Sequence, residues 1–268
     1  MKHKIFFGGF MKFLTVKLTR NMLYNSIIFI LIILILIAFV VKKFANVSVL
    51  SSQKVLPVYS VETDKKEIAI TFDAAWGAED TDELIDILNK YNAKAAFFCV
   101  GNWLDKNKEA AKKLSNNGHI IANHSNSHKH LDTLSQQAFL QDVKLCNDKI
   151  YEITNKQPVY YRGPYGEYNN QCVNDIRSIG MEYIQWDCDS IDWKKGISVE
   201  QIINNTMKNL GPGSILLFHN GLENTPTALN IILNDLQKQG YKFVSLDELI
   251  LRDDYYIDNN GKQHKIIN

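Results

Sequence analysis

The fold is decided by the stretch Ile68-Ala69-Ile70-Thr71-Phe72-Asp73, an apolar run that ends in a carboxylate. A short apolar run of this kind is typical of a strand that is buried on both faces. The residues that follow, from about Thr81 to Tyr91, repeat apolar side chains at helical spacing, with Leu84 and Leu88 on one face. A buried strand followed by an amphipathic helix is the repeating unit of a parallel sheet.

The same alternation of strands and helices continues along the chain. Strands are predicted at 95–100, 119–123, 159–162, 181–186, 214–218 and 242–244, and helices at 105–116, 135–153, 169–179, 198–210, 225–239 and 246–251. About seven such units indicate an α/β fold, a distorted seven-stranded (β/α) barrel rather than a doubly wound sheet. We assign this domain to residues 62–252, a linker to 42–61, and a polar, frayed tail to 253–268.

The amino-terminal part is basic and contains an apolar segment. Residues 1–61 hold eight Lys or Arg and no acid, and five of the eight precede the segment. Residues 26–41, extended back to Met22, have about the length that a helix needs to span a bilayer. The positive charge predicts that residues 1–25 are cytoplasmic and that the domain is extracytoplasmic. We therefore expect a single-pass protein of the cell membrane, with a cleaved signal peptide as the alternative.

The rest of the chain is acidic, with 22 basic and 29 acidic residues. Nucleic-acid binding needs clustered positive charge, so we expect no nucleic-acid partner. The four cysteines form no CxxC pair, which excludes a zinc knuckle but leaves both disulfides and buried free thiols open. We expect a monomer.

Five short motifs follow strands of the predicted barrel within about 150 residues. They are Thr71-Phe72-Asp73, His124-Ser125-Asn126-Ser127-His128, Arg162-Gly163-Pro164-Tyr165, Asp189-Ser190-Ile191-Asp192-Trp193 and Leu217-Phe218-His219. Each lies at the carboxyl end of a strand, where barrel active sites form. His124 and His128 are four residues apart, which would place them on one side of a helical turn and let them share a metal. A buried carboxylate such as Asp73 is costly unless it is paired or used, and Arg162 is a plausible partner.

In this order the motifs resemble the polysaccharide deacetylase (NodB homology) family, carbohydrate esterase family 4, over residues 62–252. The resemblance implies a hydrolase that removes acetyl groups from N-acetylated amino sugars of a cell-envelope glycan, with peptidoglycan as the expected substrate and chitin-like sugars as related ones. It makes Asp73 the general base, held in place by Arg162. It makes His219 the general acid, with Asp192 as its partner.

The resemblance also implies how substrate and cofactor are held. The backbone N–H of Tyr165 would bind the oxyanion of the tetrahedral intermediate. Trp193 and Leu217 would wall a small acetyl pocket. His124 and His128 would hold a divalent metal, for which zinc is expected. Among the polar residues beside the motifs, Asp189 is expected to give support, Asp187 to be structural, and His119 and His130 to be bystanders.

One position departs from the family pattern: Ala74 stands where a metal-binding aspartate usually follows the base. The PdaB-like sporulation deacetylases, which the chain is similar to, also lack this aspartate. Three outcomes stay open: a weaker metal site on the two histidines with Asp73 or water, a substitute ligand from Glu79 or Asp80, or loss of the metal. The last would leave a glycan-binding or sporulation protein that keeps the fold. A membrane-bound regulator without a glycan role is a third class, with only the apolar segment in its favour.

Overall fold

The computed structural model of the chain describes residues 19–50, by backbone alone from residue 43, and residues 54–266. The chain divides into two compact units, residues 1–53 and 54–268. The predicted cytoplasmic residues before Thr19 and the linker residues 51–53 lie outside the described residues.

The described part of the first unit is one helix, α1, Arg20–Leu50. Its segment Arg20–Lys42 spans 23 residues with a mean hydropathy of 3.0, which makes it a candidate membrane span. This segment includes the predicted residues 26–41. A signal sequence near the amino terminus shares the same length and composition.

The second unit is built from strands that alternate with helices. The strands are β1 Ser60–Val61, β2 Glu67–Ala74, β3 Ala96–Cys99, β4 Ile120–Asn123, β5 Tyr160–Tyr161, β6 Glu182–Tyr183, β7 Cys188–Asp189, β8 Ile215–His219, β9 Lys242–Phe243, β10 Tyr255–Ile257 and β11 Lys262–Lys265. The helices are α2 Thr81–Lys90, α3 Gly101–Lys106, α4 Lys108–Asn116, α5 Gln136–Thr154, α6 Asn170–Ser178, α7 Val199–Met207, α8 Thr225–Lys238 and α9 Leu246–Leu249. The helix predicted at 105–116 is thus two helices that meet at Asn107.

Seven parallel strands form the main sheet, in the order β6-β5-β4-β3-β2-β8-β7, and β9 pairs with the start of β2. The central strand β2 is buried on both faces, because helices cover one side and the curled sheet encloses the other. Phe72 stacks on Phe97 of β3 with ring centroids 4.7 Å apart, which fixes neighbouring strands in register. The predicted seven-stranded distorted barrel is confirmed.

The strand predicted at 181–186 contains only β6, and a further strand that the sequence pattern does not predict, β7, follows at the opposite edge of the sheet. β6 ends at Tyr183 and β7 begins at Cys188, yet they are the first and last strands of the order. Five residue steps span at most about 18 Å, so the two edges must lie close together. The sheet is therefore curled into an incomplete barrel.

Segments at both ends of the domain occupy this gap and extend the predicted boundaries. Val58 bridges Ile184 beside β6, and Ser60 bridges Ser214 beside β8. The tail predicted as frayed forms the antiparallel hairpin β10–β11, and β11 pairs with β1. The prediction of a frayed tail is wrong. The tail is polar in composition, but its strand β11 pairs with the exposed edge of β1. The domain begins near Lys54.

Candidate functional site

A cavity of about 420 Å³ opens where the carboxyl ends of β2, β4 and β8 meet. Its walls are Asp73, Ala75, Trp76, His124, His128, Tyr165, Gly166, Trp186, Asp189, Trp193, Leu217 and His219. Seven of the nine side chains predicted from sequence line it. The other two, Arg162 and Asp192, lie behind the wall and bind residues that do.

Asp73 is held by a buried ion pair at the end of β2. Its Oδ1 lies 2.7 Å from Nη1 of Arg162, and its Oδ2 lies 3.5 Å from Nε2 of His124. Burial acts to raise the pKa of Asp73, but the electrostatic interactions with His124, Arg162 and His219 outweigh it and hold the pKa below its ordinary value. The carboxylate is therefore ionised at neutral pH and presents one oxygen to the cavity.

Arg162 is fully buried, and its other two guanidinium nitrogens each donate to a backbone carbonyl. Nε donates to the carbonyl of Ile184 at 3.3 Å and Nη2 to that of Gln185 at 3.1 Å. The guanidinium also lies over the ring of Phe98, 4.1 Å from its centroid. These contacts hold the guanidinium of Arg162 in one orientation, and the guanidinium in turn fixes the orientation of Asp73.

His219, at the end of the neighbouring strand β8, is held by Asp192. Nδ1 lies 2.6 Å from Oδ1 of Asp192, while Oδ2 accepts from the backbone N–H of His219 and from Oγ1 of Thr225. Burial alone would lower the pKa of His219, but the hydrogen bond and charge of Asp192 raise it above its ordinary value. With Nδ1 engaged, Nε2 is the nitrogen left for a ligand in the cavity.

The two motif histidines meet in a loop, so the predicted helical turn is wrong. Ser125 and His128 have φ of +66° and +53°, values that an α-helix does not contain. The two rings nevertheless lie 5.0 Å apart by their centroids. Nδ1 of His124 donates to the carbonyl of Arg162 at 2.9 Å, which leaves Nε2 with a lone pair. Burial and the neighbouring His124 lower the pKa of His128 to about 4, so it too is neutral.

Tyr165 lies in a left-handed conformation, with φ of +58°, directly after the turn at Gly163 and Pro164. Within the described residues its N–H has no hydrogen-bond acceptor. Gly163 is required here, because a Cβ would lie 2.1 Å from Oη of Tyr183. His130, predicted to be a bystander, stacks on the ring of Tyr165 at 3.9 Å between centroids.

Neutral nitrogen donors such as His124 and His128 fit a divalent metal. The described residues nevertheless hold no group of three or more His, Cys, Asp or Glu that could hold a metal ion. Ala74 is fully buried and packs into the core. The proposed substitutes are not among the residues that line the cavity: Oε2 of Glu79 accepts from the N–H of Ala78, and Oδ2 of Asp80 accepts from that of Gly221. The site thus has two protein donors of the usual type, with Asp73 beside them.

The two acidic residues near the Asp192 motif, Asp187 and Asp189, have different positions. Asp187 accepts from Oγ of Ser214 and the N–H of Ile215, as expected for a structural carboxylate. Asp189 accepts from Nε1 of Trp186 and from the N–H of Ile191, and it lines the cavity.

Sequence reasoning missed the two tryptophans Trp76 and Trp186, which form part of the cavity wall. Trp76 was detectable in principle, because it lies in a loop at the carboxyl end of a barrel strand, where ligands bind. Trp186 ends an apolar run and carries no comparable signal.

The chain is similar in sequence and in fold to proteins of known family. A family model described as "Polysaccharide deacetylase" matches residues 60–184. A peptidoglycan-N-acetylglucosamine deacetylase of Bacillus cereus is 34% identical over 197 residues, which cover 72% of this chain and 92% of that protein. The structure of PdaA from Bacillus subtilis, a family 4 carbohydrate esterase, matches with a TM-score of 0.68 and 30% identity over 72% of this chain and 84% of that one.

A third similar structure is described differently. It is a pseudoenzyme of the same esterase family from Bacillus anthracis, which matches with a TM-score of 0.70 and 30% identity over 76% of this chain and 73% of that one. The fold is therefore found in relatives described as enzymes and in at least one that is not.

Proposed function

Because the chain belongs to the polysaccharide deacetylase family, carbohydrate esterase family 4, we propose that it hydrolyses the acetamide of N-acetylated amino sugars in peptidoglycan. The proposal rests on one observation above all. An ionised carboxylate, Asp73, and a histidine with a raised pKa, His219, line the same cavity and are each held by a buried partner of opposite charge. Pairs of titratable groups whose pKa values are pushed apart are typical of a base and an acid.

The residues would divide the work as follows. Asp73 accepts a proton from the water that attacks the acetyl carbonyl carbon. The N–H of Tyr165 donates to the oxygen that becomes negative. When the bond between carbon and nitrogen breaks, protonated His219 donates to the leaving amine, so that acetate and a free amino sugar are released. Leu217 and Trp193 enclose the acetyl group and limit the size of the acyl chain.

Deacetylases of this family generally depend on a divalent metal. In this chain His124 and His128 would hold the ion, with Asp73 beside them, and zinc is the metal we propose. A bound ion lowers the pKa of water and polarises a carbonyl. The low pKa of Asp73 makes it a weak base. A metal that makes the attacking water more acidic would compensate for that weakness.

We further propose that α1 anchors a monomer in the cell membrane, with the domain outside and facing the glycan. The charge distribution of residues 1–25 and the hydropathy of Arg20–Lys42 support this orientation. Cleavage of the segment as a signal sequence is the alternative.

A second candidate function is a glycan-binding or sporulation protein that keeps the deacetylase fold without turnover. The buried Ala74 favours it, because alanine supplies no ligand where the family has one. The similarity to a pseudoenzyme is consistent with it.

The two functions are separated by acetate release. The full chain in detergent, supplied with zinc, is incubated with peptidoglycan and with chitin oligomers, and Asp73→Asn serves as the matched inactive variant. The enzyme is expected to release acetate that Asp73→Asn does not. Glycan binding without acetate release would reject the enzyme and leave the binding protein.

A further inference from the structure

A separate cavity, of about 460 Å³, lies at the end of the sheet opposite to the catalytic cavity. We call it the basal cavity, and its walls include Tyr91, Lys94, Tyr241, Lys242, Phe243 and Glu248. Lys242 and Phe243 form β9, which pairs with the first residues of β2, and Lys94 precedes β3. Asp73, by contrast, is near the carboxyl end of β2. Because the strands are parallel, the two cavities lie at opposite ends of them, and no described residue lines both.

Four lysines lie in or beside the basal cavity, and no carboxylate among the described residues forms an ion pair with them. Lys94 and Lys242 are walls, while Lys66 and Lys90 each lie over the ring of a wall tyrosine, 5.7 and 5.0 Å from its centroid. Within the described residues, three of the four donate only to neutral oxygens, which belong to Asn89, Asn117, Asn230 and Gln239. The exposed ammonium of Lys242 makes no hydrogen bond with any residue that the structure describes. Positive charge is thus concentrated here on a domain that is acidic as a whole.

The aromatic walls of the basal cavity are held in place. Tyr91 is only 6% exposed, and its hydroxyl donates to the amide oxygen of Asn230 at 2.9 Å. Its ring meets that of Phe243 edge to face, with centroids 6.3 Å apart. Tyrosine and lysine side chains combine an apolar body with a polar tip, which suits them to the headgroup region of a membrane. The basal cavity therefore offers apolar surface and positive charge together.

Two acids oppose the binding of an anion at this end of the sheet. Glu248 is a wall, and its Oε2 accepts from the N–H and from Oγ of Ser245, each at 2.8 Å. These hydrogen bonds hold the pKa of Glu248 below its ordinary value, so it is ionised at neutral pH. Glu67 lies opposite Lys242 in register on β2. The four lysines outnumber the two acids, so the cavity and its rim stay positive.

We propose that the basal cavity binds the phosphodiester headgroup of an anionic phospholipid, and that the domain docks on the membrane by this end. The proposal rests on the proposed function, because anchoring in the cell membrane keeps a lipid surface beside the domain. Cavities of roughly 300–1,000 Å³ take organic ligands, so a volume of about 460 Å³ has room for a headgroup as well as its phosphate. Basic residues near an anionic membrane surface add to the attraction. Docking by this end turns the catalytic cavity away from the membrane and towards the glycan.

The test uses the full chain in lipid nanodiscs, which are either neutral, with phosphatidylcholine alone, or anionic, with about one third phosphatidylglycerol. A water-soluble reagent acylates accessible amines, and mass spectrometry gives the rate at each lysine. Lys66 and Lys242 should react at least about fivefold more slowly in the anionic discs. The difference should vanish in about 1 M salt. Lys112 on α4 and Lys195, in the loop after β7, are exposed controls that should react equally in both discs.

Two substitutions test the sign of the charge effect, with Lys242 as the reporter. Lys66→Gln removes one positive charge and should abolish most of the protection of Lys242. Glu248→Gln removes the opposing charge while keeping a side chain that can cap α9, and it should increase the protection. Lys112→Gln is the matched control and should change nothing. Weaker protection in Glu248→Gln would contradict recognition of an anion.

The outcomes separate docking from the proposed activity. Equal rates at Lys66 and Lys242 in both kinds of disc would reject docking, whether or not the chain releases acetate. Equally strong protection by soluble polyglycerol phosphate in neutral discs would identify a soluble polymer as the ligand and reject the lipid. Acetate release from chitin oligomers is measured in the same discs with zinc. Protection without acetate release would support docking and reject the enzyme. Loss of the chain from both kinds of disc would reject the anchor and docking together.

Discussion

Asp73 and His219 lie opposite each other, in register, on the neighbouring parallel strands β2 and β8. Each is bonded by a partner of opposite charge: Arg162 for Asp73 and Asp192 for His219. The pairing keeps the first group ionised, with its pKa lowered, and raises the pKa of the second. One pair of adjacent strand ends thus presents a base and an acid to the same cavity.

Replacing Asp192 with Asn should shift the high-pH limb of the rate profile downwards. The carboxylate raises the pKa of His219, and an amide cannot, so the acidic imidazolium would be lost at a lower pH. The measurement is acetate release across the pH range. Asp187→Asn removes a carboxylate that accepts from Ser214 and Ile215 and does not line the cavity, so it should leave the limb in place. An unmoved limb in Asp192→Asn would remove Asp192 from this role.

Replacing Arg162 with Met should destabilise the domain by about 3–5 kcal/mol, because it leaves the carboxylate of Asp73 buried without a cation. The double variant with Asp73→Asn should recover a large part of that loss. Unfolding by urea gives the free energies. Lys144→Met breaks an exposed ion pair with Asp148 and should cost at most about 1 kcal/mol. If Arg162→Met and Lys144→Met lower the free energy of unfolding by similar amounts, burial of the pair between Arg162 and Asp73 does not explain the loss.

Replacing Ala74 with Asp should make stability depend on zinc. The position is fully buried, so an added carboxylate is costly unless it is used, and a metal held with His124 and His128 would use it. The expected result is a lower melting temperature than the parent without zinc, and a larger rise than the parent when zinc is added. Ala74→Asn has the same shape and is a poor zinc ligand, so it should lose stability without recovery. Acetate release, measured in parallel, should rise if metal occupancy limits the parent.

Replacing Gly163 with Ala should cost about 1–3 kcal/mol through overpacking. The φ of Gly163 is −72°, which alanine adopts freely, so only the contact of the new Cβ with Tyr183 and the carbonyl of Glu167 opposes it. Thermal unfolding measures the loss. Gly211→Ala meets no atom within 4 Å and should stay within about 0.5 kcal/mol of the parent. Equal stability of the two variants would contradict the packing described around Tyr165.

Protease added to intact protoplasts should digest the domain and leave a cytoplasmic marker whole. The basic residues before α1 predict that orientation. Protection of the domain would contradict it. Release of the whole domain into the medium without protease would identify the segment as a cleaved signal sequence.

The sequence by itself determined the repeating unit and most of the site. Apolar runs such as the one ending at Asp73 specify buried parallel strands, and parallel strands bring their carboxyl ends to one edge. Seven of the nine predicted side chains line one cavity, although the family resemblance rather than this rule singled out Tyr165, Trp193 and Leu217. Arg162 is expected beside Asp73 because a buried charge needs a partner, whereas Asp192 is expected beside His219 from the family resemblance.

Only the tertiary structure decided which side chains the loops deliver and where the domain ends. His124 and His128 converge through left-handed residues rather than a helical turn, and a spacing of four does not distinguish the two. Trp76 becomes a cavity wall because Trp103 and Asn220, distant in sequence, hold its loop. The hairpin β10–β11 forms because the short strand β1 offers an edge to pair. In each case the deciding contact joins residues far apart in the chain, and local periodicity carries no information about such contacts.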